Sequence, residues 1–558
     1  MRRQIGTLGI LSIPFIVVIS AWYYIVIVKP IPFWQQPTDQ ASLVMSQAVS
    51  LESRIAGVGG PNLGFRYHPG IPVAVVSWAA LRMLARSASN GADRIMDVFR
   101  NSDEFWTYST FLGLLFVLCG LIALRKLYFP SSYLFLPASL TYLAAHPVVY
   151  TRSIGFLSDE TFALPFVVVY FAVAWKMFRA GGGGVGPEQG DGVRNLDERW
   201  MWRISRRDLL CLGLGTLTAI GWSIKTYYLA PAIGVMVAAV IALRIGAVPI
   251  RIAARSAGMM LGGFIVTVAI LVRIFMGNRF FGHWVLWNWE ILIHTDRYGE
   301  GAVGFANVHR VFGNIVDITR SSWGMFPLVV LLVTLGGGVV AWRMWRDEDW
   351  RKDRGPVAIA LLVSVGLELI AGLKHYAPHY LIICVASMPV IAYLICMDPA
   401  GRKWFARFGW VSGVTFMVTL AAVIRVHDGT QKYAKVVQAD VNRIESLAVA
   451  PNERRFWAYF VPSRAQVAQF VGGYSNSDLV VEEVREFLGP ADVTASVDRT
   501  SADWEYIVFP KSYYPTKESI GTNYLTMFDM KLTDFRPRSS DVVKEFKTVF
   551  LVTRGGSG

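Results

Sequence analysis

The chain has 558 residues, of which 54% are hydrophobic and 17% charged, with 19 Trp, a formal net charge of +14 and a mean hydropathy of +0.41. That balance excludes an ordinary soluble globular domain. The basic excess does not call for nucleic acid, because membrane proteins concentrate Lys and Arg in cytoplasmic loops and against anionic lipid.

Apolar runs recur along the chain at lengths that cross about 30 Å of hydrocarbon as helices. In order they cover 7–28, 105–124, 132–149, 156–177, 208–224, 226–244, 257–276, 324–343, 356–373, 379–396 and 408–426. The expected fold is an α-helical polytopic membrane protein of about 11 transmembrane helices, with a soluble C-terminal α/β domain. The first run is too long for a signal peptide and ends in no small-residue cleavage site, so it reads as a retained anchor. Between the first two runs lies a loop, 29–104, long for a connector. Within it 70–88 is apolar but short, with Arg82 and Arg86 in its last turn, and reads as an interfacial helix on the outer leaflet.

Basic clusters at Arg2–Arg3, Arg125–Lys126, 194–207, 244–255, 343–354 and 401–408 fall on one side and mark it as cytoplasmic. The N-terminus is then inside and the C-terminus outside. The stretch 180–192, AGGGGVGPEQGDG, is a flexible linker. Cys119, Cys211, Cys384 and Cys396 lie within or beside apolar runs, which predicts buried thiols rather than a disulfide or zinc framework. The division falls at 426: a membrane domain, 1–426, and an outer domain, 427–558. In the latter RFWAYFV, DVTASV, EYIVFP and FKTVFLVTR read as strands, SRAQVAQFVGGY and SDLVVEEVREFLG as helices.

All eight histidines map to the outer side under this topology, which points to a cavity opening outward. Asp39, in QQPTDQASLV, stands just after the first run. Thr38 and Asp39 can cap the helix that follows, and a carboxylate beside Trp34 at a membrane boundary can equally serve as a base. GFLSDETF places Asp159 and Glu160 in a short outer turn. Neighbours on a helix point about 100° apart, so both are not expected to face one site. Lys225, in GWSIKTYYLAP, sits between two apolar runs, where an ammonium needs an anion or a path to water. The outer loop 281–305 pairs a Trp-rich half with His294, Asp296, Arg297 and Tyr298; its second half suits a lid, and His294 is a candidate metal ligand. LKHYAPHYL gathers Lys374, His375, Tyr376, His379 and Tyr380 at a helix start, a setting for phosphate or sugar hydroxyls.

In order and side, these residues resemble the GT-C superfamily of polyprenyl-phosphate-dependent glycosyltransferases, in particular the protein mannosyltransferases and aminoarabinose–lipid A transferases. The resemblance spans about residues 1–400. It rests on the long first loop with Asp39, the HPGIP entry at 68–72, Asp159 in the next outer turn, Lys225 followed by Pro231, and HYAPHYLIICVASMP, which is similar to the family's RYLLPxxP. It implies Asp39 as general base, Asp159 as its assistant or the acceptor's orienting group, and Lys225 on the donor phosphate with Arg66, Lys374 and His375 as helpers. The substrate-binding set adds His68, Glu160, Arg297, His379 and Tyr380. The implied donor is a sugar on undecaprenyl or decaprenyl phosphate in the outer leaflet of a bacterial cytoplasmic membrane. The implied acceptor is a lipid, a glycan or a protein, with membrane lipid around the site. No nucleotide-binding glycine loop is present, in keeping with a lipid-linked donor. Two departures stand out: Gln40 follows Asp39 where mannosyltransferases carry an Asp-Glu pair, and His379 replaces the arginine before YLLP. A divalent metal ion is left open.

Two other functions compete. A transporter for lipid-linked sugars calls for charged or broken segments near the midplane and repeated halves, and the apolar runs read as mostly free of charge away from their ends. An O-antigen ligase or polymerase relies on a large late outer loop, whereas here the long loop comes first.

Overall fold

The structure is a computed structural model that describes residues 2–36, 39–56, 70–130, 132–145, 149–182, 204–246, 248–276, 278–294, 302–304, 308–321, 325–374, 378–447, 455–457, 506–511, 516–520, 537 and 539–553. Its helices are α1 (Arg2–Trp22), α2 (Asp39–Ile55), α3 (Ile71–Leu84), α4 (Gly91–Arg100), α5 (Ser102–Leu127), α6 (Phe135–Ala145), α7 (Ala163–Gly182), α8 (Arg206–Ile224) and α9 (Ala230–Arg244). They continue as α10 (Ile250–Leu271), α11 (Asn278–Ile293), α12 (Val308–Ser321), α13 (Met325–Arg346), α14 (Glu348–Asp353), α15 (Gly355–Lys374), α16 (Ile382–Cys396) and α17 (Pro399–Glu445). Each of the eleven predicted spans overlaps a helix. Among the described residues, seven stretches are long and apolar enough to cross a membrane: Leu11–Val28, Ser102–Leu127, Asp159–Ala180, Thr226–Arg244, Ile250–Phe275, Gly355–Lys374 and Trp410–Glu445. The chain is a multi-pass membrane protein.

Chain alternation gives the bundle two ends. At one, ion pairs tie neighbouring helices: Arg255 to Asp208 at 2.7 Å and Arg343 to Asp398. At the other, the loop helices α2, α3, α4, α11 and α12 collect. Three π-type turns lie at this loop end, at Tyr23–Val28, Val149–Ile154 and Val272–Met276. Such turns break regular packing and recur where helices enter functional sites. Elsewhere the bundle is held by close backbone approach. A Cβ on Gly234 of α9 would run into the Ala360 carbonyl of α15, and one on Gly215 of α8 into the Met260 carbonyl of α10, as small residues allow at membrane helix crossings.

Helix α3 occupies the predicted interfacial stretch. It packs against α2, α4, α5 and α8, and Ile71, Val73, Ala74, Val76, Ser77, Ala80 and Leu81 are buried. A carboxylate with no exposed surface, Glu52 of α2, staples these loop helices together. It accepts from Trp78 Nε1 (2.8 Å), Arg82 Nε (2.8 Å) and Arg94 Nε (2.6 Å). Arg82 therefore serves the interior of the loop.

The boundary placed at 427 falls inside α17, which runs unbroken for 47 residues from the bundle into the C-terminal sheet. Val437, Val441 and Ile444 repeat at helical spacing and pack on Val508, Val549 and Leu551 of that sheet. Its strands are β1 (Arg455–Trp457), β2 (Tyr506–Pro510), β3 (Val542–Glu545) and β4 (Val549–Thr553), in the order β1-β2-β4-β3. The β1–β2 pair is parallel and the other two are antiparallel. Three predicted strands coincide with β1, β2 and β4; β3 was not anticipated. DVTASV and the two predicted helices of this region lie outside the described residues. The expectation of four buried thiols needs one correction: Cys211, Cys384 and Cys396 are buried, whereas Cys119 is exposed on the outward face of α5.

Candidate functional site

Lys225 caps the C-terminus of α8, where the chain turns at the loop end before Thr226–Leu229 leads into α9. Facing it is the short turn Asp159–Phe162 ahead of α7, fixed by a reciprocal cap between Ser158 and Thr161. Lys225 Nζ lies 3.5 Å from Asp159 Oδ2 and 3.6 Å from Glu160 Oε1. The expectation that adjacent carboxylates do not share a site is therefore corrected. One long side chain from another helix reaches between them, so their angular separation does not matter.

Aromatic groups close the cluster. The Tyr227 and Tyr380 rings each lie 5.4 Å from Lys225 Nζ, within cation–π range. Tyr227 OH donates to Glu160 Oε1 (3.4 Å), and Tyr228 OH donates to the Asp159 carbonyl (2.5 Å). Burial alone would depress the ammonium, but Glu160 and then Asp159 outweigh it, so the Lys225 pKa stands above the ordinary lysine value. The two acids differ in reach: the Asp159 side chain keeps 12% of its surface, the Glu160 side chain 1%. Asp159 is the acid that a substrate would meet.

The first loop touches Asp159 through Gly70, which enters α3 with φ +45°. A Cβ there would lie 2.7 Å from Gln47 Nε2 of α2 and 3.4 Å from Asp159 Oδ1, so glycine serves both the backbone conformation and the approach. Helix α2, which ends its second turn near Gln47, opens at Asp39. The Asp39 side chain lies outside the described residues, as do Arg66, His68, Arg297, His375 and the side chain of His379.

Lys374 is placed elsewhere. Its Nζ donates to the carbonyls of Ile291 (2.8 Å) and Leu292 (2.5 Å), which caps the C-terminal turn of α11. Thr226 bonds to Asn288 of the same helix, so α11 is moored on both sides of the Lys225 turn. His294 follows α11 and bridges to Val303. Among the described residues no three His, Cys, Asp or Glu side chains converge as a metal site. Of the eight histidines only His294 and His427 have described side chains; His427 is buried, and its Nε2 meets the Lys29 carbonyl at 2.7 Å.

Two charged residues were passed over in the sequence. Glu368 stands inside α15, 1% exposed, and its Oε1 accepts from the Ile383 N–H (2.9 Å) at the start of α16. It pins the turn Pro378–Leu381 that carries Tyr380, and it is an acid inside a span among runs read as mostly free of charge. The signal was a lone acid in VGLELIAGL, which a membrane segment does not keep without use. Arg152, in YTRSIGF, is the other: its carbonyl accepts from Ser158 Oγ (2.6 Å), which ties it to the turn that carries Asp159.

The arrangement defines a multi-pass α-helical membrane protein with a buried acid–lysine unit where its loop helices meet the bundle. No family model matches the sequence, and no curated protein does. Among solved structures the chain is similar to the Archaeoglobus fulgidus oligosaccharyltransferase in its apo form, at 10% identity and a TM-score of 0.46 over 91% of this chain and 70% of that one. It is also similar to the archaeal oligosaccharyltransferase AglB from Archaeoglobus fulgidus in complex with an inhibitory peptide and a dolichol-phosphate, at 10% identity and 0.45 over 93% and 71%. At these values the likeness assigns no residue a role.

Proposed function

We propose that the chain is an integral-membrane glycosyltransferase that moves a sugar from a polyprenyl-phosphate donor to a hydroxyl-bearing acceptor at the loop end of the bundle. The observation that carries this reading is the buried Lys225–Asp159–Glu160 unit against the helices of the loop that Asp39 opens. The ion pairs, at 3.5 and 3.6 Å, are longer than charge-assisted hydrogen bonds of about 2.7–2.9 Å. The ammonium therefore retains donors for a phosphate oxygen while the carboxylates hold it in place.

In the step itself the acceptor oxygen attacks the anomeric carbon as the bond to the phosphate oxygen breaks. The hydroxyl proton passes to Asp39 as base, Asp159 orients the acceptor, and the leaving polyprenyl phosphate carries its charge towards Lys225. Sequestered donors in a site of low dielectric favour the leaving group more than water would. The donor belongs to a bacterial cytoplasmic membrane and the reaction to its outer face.

The test is transfer of label from radiolabelled polyprenyl-phosphate sugars in membranes that contain the wild type, Asp39→Asn or Lys225→Ala. Transfer by the wild type and its loss in Asp39→Asn, at equal protein levels, is the expected result. Undiminished transfer in Asp39→Asn would remove that residue as the base. A transporter would draw on Glu368 as its intramembrane charge, and one of its oxygens, Oε1, is held by the α16 backbone. Export of the label without a new glycosidic bond would favour transport.

A further inference from the structure

Helices α9 and α10 are joined by residues 245–249 alone, yet they barely touch: α9 packs along α15, and α10 along α8. Their divergence leaves a slot of about 80 Å³ at the end of the bundle opposite the loop helices. Phe178 of α7, Val235 and Met236 of α9, Val248 of the connector and Met260 of α10 give it an apolar surface. That is room for about six methylene-sized groups. Val235 and Met260 lie nine and ten residues from the helix ends at Arg244 and Ile250. The slot therefore reaches about 15 Å along the helices, the depth of one hydrocarbon leaflet in a core of about 30 Å.

The rim is basic. Arg179, Arg206, Arg244 and Arg251, one from each of α7, α8, α9 and α10, are exposed at this end. Arg207 stands in the wall, and its Nε donates to Ser256 Oγ at 3.0 Å, which ties α8 to α10 beside the slot. Among the described residues no acid lines the slot, and Asp208, next to Arg207, is taken by Arg255 at 2.7 Å.

We infer that this slot binds an anionic phospholipid, with one acyl chain between α9 and α10 and the phosphate on the arginine rim. Shape selects the chain, because the slot is narrow, apolar and open towards lipid at the exposed Met236. Charge selects the headgroup. A neutral phospholipid would fill the slot and gain nothing from the rim, and a soluble anion would meet the rim and leave the slot empty. Basic pockets between membrane helices on the cytoplasmic side suit anionic headgroups, and the basic clusters in the sequence make this the end expected to be cytoplasmic. The site is separate from the reaction's own lipid: α8 runs 19 residues from here to the Lys225 turn, about 28 Å of helix. A lipid seated here braces α8 and α9, which carry that turn at their other ends. The inference does not depend on the glycosyltransferase reading.

The test uses the full-length protein in phosphatidylcholine nanodiscs with a trace of phosphatidylglycerol that carries a photoreactive diazirine near the end of one acyl chain. Irradiation and peptide mapping are expected to place label on the slot residues of α9 and α10 at least fivefold above the lipid-facing surface of α5. Unlabelled phosphatidylglycerol should remove that label, and an equal dose of phosphatidylcholine should not. Ala257→Trp fills the slot from an exposed lining position, and Arg244→Gln with Arg251→Gln strips the rim at two exposed ones. Each variant is expected to lower slot labelling at least fivefold. Labelling spread evenly over the lipid-facing helices, equal competition by phosphatidylcholine, removal by inorganic phosphate, or slot labelling unchanged in either variant would overturn the inference.

Discussion

Lys225 Nζ lies 3.5 Å from Asp159 Oδ2, although 66 residues and a full passage through the bundle and back separate them in sequence. Burial makes this contact consequential: Lys225 is 8% exposed and Asp159 9%. Removing one member of a buried ion pair leaves the other charge uncompensated, which costs about 3–5 kcal/mol. Lys225→Ala removes the cation that both carboxylates share and is expected to lower stability by up to that amount in detergent. Adding Glu160→Gln to Lys225→Ala is expected to recover part of the loss. Thermal unfolding of the two variants beside the wild type checks both.

The sign of the Lys225 shift sets a pH window. Its folded pKa is raised above the ordinary value of 10.5, so its contribution is fully present below 10.5 and fades only as pH rises through the folded value. The stability that Lys225 contributes should not fall as pH rises from about 6 to 9, because lysine holds its proton throughout that range. A difference between wild type and Lys225→Ala that shrinks as pH rises within this window, by thermal unfolding, would count against the charged pair.

Close helix approach supplies a prediction away from the site. Gly234→Leu forces its side chain into the α15 backbone and is expected to cost about 1–3 kcal/mol or more. Gly366→Ala is the control: nothing lies within 4 Å of its added Cβ, and helix propensity favours it by up to about 1 kcal/mol. Thermal shifts of opposite sign are the expected outcome.

The C-terminal sheet is docked on α17 through Asp440, whose Oδ2 accepts from both the N–H and the Oγ1 of Thr548 at 2.7 Å. Asp440→Ala leaves these donors buried without an acceptor, at a cost of about 1–3 kcal/mol. Limited proteolysis of the full chain should then release the C-terminal segment faster than from wild type, with the bundle spared. Equal release rates would show that α17 holds the sheet by apolar packing alone.

How much of this was legible depends on which forces write themselves locally. The apolar runs required helices, and each run became one, because a membrane leaves backbone groups no other way to be satisfied. Asp159 and Lys225 were visible as charges beside apolar runs, but their contact is tertiary, and local helix geometry argued against Glu160 joining it. Glu368 was legible and overlooked, since an acid within an apolar run asks for a partner. The Glu52 staple was not, because Trp78, Arg82 and Arg94 converge only once three loop helices pack. The length of α17 hid behind polar residues past 427, although Val437, Val441 and Ile444 kept the helical period.

The most direct test of the central claim is release of polyprenyl phosphate from a polyprenyl-phosphate sugar by the purified full-length protein in nanodiscs. The account predicts acceptor-dependent release by the wild type and at least a hundredfold slower release by Asp159→Asn, both measured at a temperature at which each protein remains folded. No release by the wild type in the presence of any acceptor glycan, or equal release by the two proteins, would contradict it.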